Sequence, residues 1–499
     1  MSSELYLAID IGTGSVRAAL VDRFGTVLHI ASREHEQIVP TFGWSEQRPA
    51  DWWAGVVHVV REAIGFIDGA AERIAVVCAC GQNHGTVLID KAGALTRAAA
   101  PLWNDKRTTD LVAAFEAKYR PEAYLAESGN PPATAWPAFK LQWLRDNDRR
   151  AYDAAATVLM PKDYVNFRLT GARATDLTSA SLSFMMNPST NQWSSVMLEY
   201  LDVDPAKLPP ILLSGDLLGR VTATAARETG LPEGLPVLAG GGDYPVALLG
   251  SGASRPGVGS DVTGTSSILT QMSKRPILHA EICNIIATEG LWGNFVLLET
   301  GGDAMRWARR AFHHNALSYA DIAACAGEAP AGADGLFFMP YLGGERLGEH
   351  RNARAQFFGL TARHGLAHLH RAVLEGVAFG VTRHMRMMER ASGQRMQYIV
   401  ASGGGAKAPL WLRIKASAYG VPILVPHEPE CGVIGCAAIA ATSTGRYFHL
   451  ADALDAYVRY DEEIAPDPAW AERYAAMQGV FELIYGRSQQ LYDALDTLA

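Results

Sequence analysis

The chain has 499 residues, of which 48% are hydrophobic and 19% charged, a composition typical of soluble globular proteins. At about 150 residues per domain, this length predicts more than one domain. The formal net charge of −8 is opposite in sign to the basic surface that neutralises nucleic-acid phosphates, so we expect no nucleic-acid partner.

The N-terminal stretch places Glu4 before the first apolar run and has neither a basic segment nor a cleavable apolar stretch, so no secretory signal is expected. Apolar runs such as Ile74–Cys80 are shorter than the roughly 20 residues that span a bilayer. The six cysteines form no repeated CxxC pair, which disfavours structural zinc and a disulfide framework. These features predict a cytoplasmic protein without a membrane partner.

The N-terminal segment predicts a strand-rich opening. Leu5–Ile9 and Val16–Val21 are apolar strands joined by a turn of small residues, and Thr26–Ile30 continues the meander. A helix is predicted over 51–66, followed by the strand Ile74–Cys80. Strands with later interleaved helices indicate an α/β protein.

A related pattern recurs in the second half of the chain. Gly259–Val262 leads into a turn of threonine, glycine and serine and then into a second strand, 268–270. The shared order of strand, turn and strand predicts two similar domains, with the boundary near 251–260. Further on, the periodicity predicts a long helix over 364–388, in which two glycines admit a close neighbour, and an amphipathic helix from Trp470.

Three glycine-rich turns follow apolar strands, at 12–15, 264–267 and 403–405. Without a Cβ in the way, the backbone N–H groups of such turns can approach phosphate oxygens. One turn of this kind is also an ordinary structural turn, but three of them favour a polyphosphate nucleotide. None matches the P-loop or the dinucleotide fingerprint.

Asp10 and Asp243 each end an apolar strand beside a glycine turn. A carboxylate there is costly to bury unless a cation or a donor pairs with it. Either residue alone could cap its turn through its own backbone. Together, at equivalent positions of two domains, they favour Mg²⁺ binding and proton abstraction, the two carboxylate roles that phosphoryl transfer uses.

A series of short motifs runs in order along the chain: Asp10-Ile11-Gly12-Thr13, Trp44-Ser45-Glu46-Gln47, Gly81-Gln82-Asn83-His84-Gly85, Trp103-Asn104-Asp105, Met160-Pro161-Lys162-Asp163-Tyr164, Ala174-Thr175-Asp176, Gly240–Asp243, Gly264-Thr265-Ser266, Gly344-Glu345-Arg346 and Ser402–Gly405. In this order and spacing they resemble the FGGY carbohydrate kinases, and the resemblance covers nearly the whole chain. Within that family the pattern is closest to the xylulokinases.

The resemblance implies an α/β fold of two actin-like (ribonuclease-H-like) ATPase domains with a cleft between them. An N-terminal domain is expected at 1–246, with the sugar side and the first phosphate hairpin. A C-terminal domain is expected at 247–445, with the second phosphate hairpin and the adenosine segment, and a helical segment at 446–499 that packs on it. Family members are often dimers, so a homodimer is a further possibility.

The resemblance also implies roles for individual residues. Asp243 would be the base that takes a proton from the sugar hydroxyl, and Asp10 would be the catalytic residue that organises Mg²⁺. Sugar contacts are implied for Asn83, His84, Trp103, Asp105 and Asp243. Contacts with ATP are implied for Gly12, Thr13, Gly14 and Arg17 in the first hairpin, for Gly264, Thr265 and Ser266 in the second, and for Gly404, Gly405 and Lys407 in the adenosine segment.

The implied activity is transfer of the γ-phosphate of Mg-ATP to a ketopentose hydroxyl, converting D-xylulose to D-xylulose 5-phosphate. The sequence departs from the xylulokinase pattern where Asn83 replaces methionine and where Tyr244-Pro245 follows Asp243. Another ketose or a small polyol, of the ribulose or erythritol type, is therefore an alternative substrate. An actin-like ATPase that acts on a protein partner is a second alternative, although it leaves Asn83, His84 and Asp243 without a purpose.

Overall fold

A computed structural model describes residues 4–345 and 350–498, so Arg346 of the Gly344-Glu345-Arg346 motif lies outside the described residues. The chain forms two compact units. Unit 1 comprises the chain up to Ser254 together with Lys274–Gly293 and Glu430–Val458, and unit 2 comprises Arg255–Ser273, Asn294–Pro429 and the chain from Arg459 onward.

The strands of the described chain are, in order, β1 Leu5–Ile11, β2 Ser15–Asp22, β3 Val27–Glu34, β4 Glu46–Gln47, β5 Ile74–Gly81, β6 Val87–Ile89, β7 Ala100–Pro101, β8 Thr157–Leu159, β9 Thr175–Asp176, β10 Met186–Asn187, β11 Gln192–Trp193, β12 Ile211–Leu212, β13 Leu217–Arg220, β14 Pro236–Leu238, β15 Gly241–Gly242, β16 Val258–Thr263, β17 Ser267–Ser273, β18 Cys283–Thr288, β19 Leu291–Leu298, β20 Phe337–Met339, β21 Gln356–Phe358, β22 Tyr398–Ser402, β23 Ile423–Pro426 and β24 Tyr460–Ile464.

The α-helices are α1 Pro49–Phe66, α2 Ala70–Arg73, α3 Thr109–Lys118, α4 Pro121–Ser128, α5 Pro137–Asn147, α6 Arg149–Ala154, α7 Pro161–Thr170, α8 Leu177–Ser181, α9 Ser195–Leu201, α10 Ala223–Thr229, α11 Asp243–Gly250, α12 Gly302–His313, α13 Tyr319–Glu328, α14 Leu366–Ser392, α15 Pro409–Tyr419, α16 Cys431–Ser443, α17 Leu450–Tyr457, α18 Pro468–Arg487 and α19 Gln489–Asp496. Short 3₁₀ helices occupy Pro205–Lys207, Ala333–Gly335 and Gly404–Lys407.

The main sheet of unit 1 has the strand order β13-β14-β5-β1-β2-β3, with β15 also paired to β5. β1 is antiparallel to β2 and parallel to β5, which confirms the predicted N-terminal hairpin. The sequence of β1, LYLAIDI, is almost continuously apolar and buried, as expected for a strand with neighbours on both edges and both faces covered.

Unit 2 repeats this arrangement. The strands β17-β16-β22-β23-β24 pair in that order, and their relative directions match those of β2-β1-β5-β14-β13 in unit 1. In both units a hairpin is followed in the sheet by two strands parallel to its inner strand and then by one antiparallel strand. The shared topology confirms the predicted similarity of the two strand-turn-strand segments, although the segments have few identical residues.

Helix α1 illustrates how the pattern determines packing in unit 1. Its apolar residues recur at helical spacing, and Trp52, Val56, Val59 and Ala63 are buried in the core that covers the sheet. Pro49 occupies the first turn, where its missing N–H needs no partner. The helix predicted over 51–66 is therefore present and starts slightly earlier.

The long helix of unit 2, α14, confirms the role predicted for its glycines. A Cβ placed on Gly376 would lie 2.1 Å from the carbonyl oxygen of Phe338 in β20, so only glycine permits this contact. The C-terminal amphipathic helix is α18, and its apolar residues Tyr474, Met477 and Phe481 are buried against neighbouring α14 and α15. Each of these elements is where the periodicity placed it.

The two units differ from the contiguous domains expected at 1–246, 247–445 and 446–499. The segments 274–293 and 430–458 belong to unit 1, and the chain from Arg459 belongs to unit 2. Helix α16 packs on β1 and on α11 within unit 1. Among the described residues, none of the helices is long and apolar enough to cross a membrane.

Candidate active site

The sheet of unit 1 brings Asp10 and Asp243 to one edge. The prediction that they occupy equivalent positions of two domains is wrong, because both residues belong to unit 1. Asp10, near the end of β1, is in register with Cys80 of β5, and Gly241 of β15 is in register with the same Cys80 from the other side. Asp243 follows β15 as the first residue of α11. The two carboxylates therefore flank the carboxyl end of β5, which is where ligands bind in sheets of parallel strands.

Asp10 combines an ion pair with an unused oxygen. Its side chain is 13% exposed, and its Oδ2 lies 3.2 Å from Arg17 Nη1. The same Nη1 lies 2.9 Å from Glu430 Oε2. Burial raises the pKa of Asp10, and Arg17 opposes that shift. Its Oδ1 is buried and accepts no hydrogen bond from the described residues. A hard cation would satisfy this oxygen, so the residue fits a Mg²⁺ ligand.

No group of three or more histidine, cysteine, aspartate or glutamate side chains in the described parts of the chain could hold a metal ion. Mg²⁺ does not need such a group, because it usually keeps several waters and binds through one or two carboxylates together with substrate phosphates. The single carboxylate of Asp10 is therefore compatible with that mode of binding.

Asp243 has the environment of a general base. Asn83 Nδ2 donates to its Oδ1 at 2.8 Å, and the backbone N–H of Tyr244 donates to the same oxygen at 2.7 Å. Desolvation raises the pKa of Asp243 to about 7, the negative charge of Asp10 raises it as well, and the N–H of Tyr244 opposes both. A carboxylate whose pKa lies near the working pH is suited to accept a proton during a reaction.

The segment predicted to contact the sugar lies next to this base. His84 adopts the left-handed conformation with φ of 66°, which is uncommon for a residue other than glycine. Its Nδ1 lies 3.0 Å from the carbonyl oxygen of Leu182. Since a carbonyl only accepts, Nδ1 must carry the hydrogen, and Nε2 of the neutral ring is an acceptor suited to a hydroxyl. Trp103 is partly exposed, and its Nε1 donates to Thr13 Oγ1 at 3.0 Å.

Asp105 has a different environment from the other predicted sugar contacts. It is fully buried, and its carboxylate accepts from the backbone N–H of Ser45 at 2.6 Å and from the Arg107 guanidinium at 2.7 and 2.8 Å. Arg107 also pairs with Glu46 and stacks on Trp44 at 3.9 Å. A sugar could reach Asp105 only by displacing these donors, so the contacts favour a supporting role, and its direct sugar contact stays a prediction.

The first phosphate turn is held by donors to its backbone carbonyls. Gln47 Nε2 donates to the Thr13 carbonyl at 2.7 Å, and the His35 ring lies 3.0 Å from the same oxygen. The turn closes through a bond from Gly12 N–H to the Ser15 carbonyl at 3.0 Å. A Cβ on Gly14 would meet no atom within 4 Å. The turn is rigid on its protein side and open on the other, as a phosphate cradle requires.

The second turn, in unit 2, has the same construction. Its carbonyl groups at Gly264 and Thr265 accept N–H groups at the start of α12, from Gly302 and Gly301, each at 2.9 Å. The space beside the Cα of Gly264 is open to 4 Å. The predicted nucleotide residues Gly264, Thr265 and Ser266 therefore form a second rigid turn that is closed on one side only.

A buried charge cluster supports this second turn. Lys415 Nζ lies 2.7 Å from Asp261 Oδ2 and donates to Thr263 Oγ1 at 2.6 Å. Tyr419 donates to Asp261 Oδ2, while Thr263 and Ser267 donate to its Oδ1. Lys415 lowers the pKa of Asp261 against the effect of burial. Thr263 and Ser267 are the two ends of the turn, so this cluster fixes its width.

The predicted adenosine segment touches the same turn. A Cβ on Gly403, whose φ is 78°, would lie 2.7 Å from the carbonyl oxygen of Thr263, and one on Gly405 would lie 2.7 Å from Thr263 Cβ. Gly404, Gly405 and Lys407 belong to the 3₁₀ helix that follows β22. The glycines are thus needed for close approach to the end of β16, and their contact with a nucleotide stays a prediction.

Sequence reasoning did not find several residues that complete these arrangements: Glu430, His35, Arg107, Lys140, Asp261 and Lys415. Each is charged or polar and buried or partly buried, but each has a partner that is distant in sequence, as Glu46 is for Arg107, or that is a backbone atom. A local motif contains no signal for such a partner.

Comparison with known proteins decides the family. Residues 5–250 match the N-terminal domain of the FGGY family of carbohydrate kinases, and residues 260–444 match its C-terminal domain. The chain belongs to this family. Its fold is accordingly the two-domain, actin-like fold of FGGY kinases, and a carbohydrate kinase is favoured over an actin-like ATPase that acts on a protein partner.

Individual relatives agree over their full length. The chain is 28% identical to the xylulose kinase of Staphylococcus epidermidis, with 100% of both chains covered. It is also 28% identical to the autoinducer-2 kinase of Enterobacter sp. (strain 638), with 98% of this chain and 95% of that protein covered. The crystal structure of xylulose kinase from Rhodospirillum rubrum superposes with a TM-score of 0.92 at 31% identity, covering 98% and 100% of the two chains.

Proposed function

We propose that this FGGY kinase transfers the γ-phosphate of Mg-ATP to a hydroxyl of D-xylulose and releases D-xylulose 5-phosphate and ADP. The observation that carries the proposal is Asp243, a half-buried carboxylate with a pKa of about 7. The xylulose kinases among its full-length relatives support D-xylulose as the substrate. A cytoplasmic location remains a prediction from the sequence.

Asp243 would accept the proton of the attacking hydroxyl. Its Oδ1 receives the donors from Asn83 and Tyr244, so Oδ2 is the oxygen assigned to the substrate. As the hydroxyl oxygen bonds to the γ-phosphorus, its proton passes to Oδ2, and the bond from the γ-phosphorus to the bridging oxygen breaks with its electrons leaving on ADP. Positioning of this kind supplies most of the catalysis in phosphoryl transfer.

The turns at 12–15 and 264–266 would bind the phosphates through backbone N–H groups, and the segment at 404–407 would meet the nucleoside. Asp10 would hold Mg²⁺ through its unpartnered Oδ1. The bound ion would supply positive charge to the phosphate oxygens as negative charge develops on them. Arg17 would keep Asp10 ionised and oriented, since it lies 3.2 Å from the other carboxylate oxygen.

Asn83 favours a second candidate substrate. Its Oδ1 is buried and accepts no hydrogen bond from any described residue, so a substrate hydroxyl could satisfy it where a methionine would offer no acceptor of comparable strength. One full-length relative is an autoinducer-2 kinase. Another ketose or a small polyol is therefore the alternative to D-xylulose.

The test is an ADP-release assay with Mg-ATP over ketopentoses, hexuloses and small polyols. D-Xylulose is expected to stimulate ADP release at least a hundredfold over the rate without sugar. Asp243→Asn, which keeps the shape of the side chain but not its basicity, is expected to lower kcat by about 10²- to 10⁴-fold.

If a different sugar stimulates ADP release, that sugar replaces D-xylulose as the proposed substrate, and the proposed mechanism is unchanged. A fully active Asp243→Asn variant would overturn the assignment of the base.

A further inference from the structure

The loop that carries Asn83, His84 and Gly85 is braced by a lysine that no sequence motif identified. Lys140 Nζ donates to the carbonyl oxygen of His84 at 2.9 Å and to that of Ala135 at 2.8 Å. The side chain is 0% exposed and projects from α5. Within the part of the chain that the structure describes, its hydrogen bonds go only to backbone carbonyls.

A buried lysine is energetically unfavourable at this position. Burying an ammonium group without an ion pair costs several kcal/mol, roughly, and lysine commonly avoids it. Burial lowers the pKa of Lys140 to about 7, while Asp105 raises it and Arg107 lowers it. A fold that only had to fill this volume would do so with methionine or leucine, so the two hydrogen bonds account for the lysine.

The carbonyl group that Lys140 holds belongs to a strained residue. His84 has a φ of 66°, a conformation that costs a residue with a Cβ about 1–2 kcal/mol. Its ring is fixed by the Leu182 carbonyl at 3.0 Å and by an edge contact with Trp136 at 5.0 Å. Besides Lys140, Thr86 Oγ1 donates to the His84 carbonyl oxygen, at the longer distance of 3.3 Å.

The opposite side of the loop reaches the base. Asn83 donates to Asp243, and a Cβ on Gly85 would lie 2.5 Å from Pro161, so the loop has no room to shift toward α7. A change in the His84 peptide would therefore move both the His84 ring and the amide that contacts Asp243.

We propose that Lys140 is a positioning residue that holds the His84 peptide in its left-handed conformation and thereby sets the sugar-binding loop. This inference rests on the proposed function, because it takes the loop at 83–85 as the sugar contact. Lys140 would touch neither sugar nor nucleotide, and its effect would appear in sugar recognition rather than in nucleotide binding.

The test compares Lys140→Met with a matched control, Lys207→Met. Lys207 also donates to a backbone carbonyl in unit 1, that of Ala155 at 2.6 Å, but lies outside the site. With the sugar that the wild type turns over, Lys140→Met is expected to raise the sugar KM about 10- to 100-fold, the loss that corresponds to removing the donor of a buried carbonyl group. The KM for ATP and the Kd for ADP should stay within about twofold, and Lys207→Met should change none of these constants.

A double-mutant cycle separates positioning from simple structural damage. If Lys140 acts in part through the His84 ring, Lys140→Met should raise the sugar KM by a smaller factor in the His84→Ala background than in the wild type, and the remaining effect would come from the Asn83 amide. Full additivity, or a parallel rise in the KM for both sugar and ATP, would contradict the proposal.

Should Lys140→Met not fold, Lys140→Gln keeps one amide donor and is expected to show a smaller rise in sugar KM. An unchanged sugar KM in either folded variant overturns the inference. Failure of the proposed function gives a different result, because the wild type would then release no ADP with any sugar.

Discussion

Removing the amide of Asn83 should change the pH at which the enzyme becomes active. In Asn83→Leu the donor to Asp243 Oδ1, at 2.8 Å in the wild type, is lost while the branched shape of the side chain is kept. A hydrogen bond to the ionised form lowers a carboxyl pKa, so its loss raises the pKa. A bond of about 1.5 kcal/mol corresponds to roughly one pKa unit, since one unit equals about 1.36 kcal/mol.

The pKa of Asp243, about 7 in the wild type, should therefore rise to about 8 in the variant. At pH 7 the ionised fraction would fall from about one half to about one tenth, and kcat/KM would fall roughly fivefold for this reason alone. At pH 9 Asp243 would be almost fully ionised in both the wild type and the variant, so this part of the loss in kcat/KM would disappear. The assay is kcat/KM for the sugar, measured by ADP release between pH 5.5 and 9.5.

Trp103→Phe is the control for this experiment, because Trp103 bonds to Thr13 and not to the base. It should lower activity, if at all, without moving the midpoint of the acidic limb. If Asn83→Leu lowers kcat/KM by the same factor at every pH, Asn83 acts only on sugar binding, and the predicted shift in the pKa of Asp243 is refuted.

Three further expectations concern stability and nucleotide binding. Gly240→Ala should lower the free energy of unfolding by about 3 kcal/mol or more, because φ is 68° and the new Cβ would lie 1.9 Å from the Ala79 carbonyl oxygen; urea denaturation measures it. Burial lowers the pKa of His384 to about 3, so its contribution to stability is complete above pH 6.5 and decreases as the pH falls. The free energy of unfolding should therefore be about 2 kcal/mol lower at pH 5 than at pH 7, and His384→Gln should lack this dependence. Lys415→Met leaves Asp261 without its cation and should raise the KM for ATP several-fold in steady-state assays while the sugar KM changes little; equal changes in both would indicate general damage.

The sequence predicted the local features of the fold well. Periodicity placed α1 and α18, and the turns beside β1 and β16 followed from small residues after apolar runs. Asp10 and Asp243 could be paired because each comes after a predicted apolar strand and beside a glycine turn. In these cases the physical cause lies within a few neighbouring residues, so the pattern contains it.

Contacts between distant residues could not be predicted in this way. Arg17 meets Glu430, and Asp261 meets Lys415, across hundreds of residues or from a strand to a remote helix. Lys140 has backbone partners, which leave no complementary charge in the sequence. The supporting role of Asp105 likewise depends on Ser45, 60 positions away, whose backbone N–H donates to its carboxylate.

The placement of α16 in unit 1 has a consequence for synthesis of the chain. Glu430, beside α16, pairs with Arg17, and α16 packs on β1, so the first strand acquires its last neighbours only when residues near 430–458 have been translated. Unit 1 therefore cannot complete its folding while the ribosome is still making unit 2. A fragment ending near residue 250 would leave apolar surface of β1 and α11 uncovered, and such surface promotes aggregation. Nascent chains of this protein should accordingly depend on chaperones until translation is almost complete.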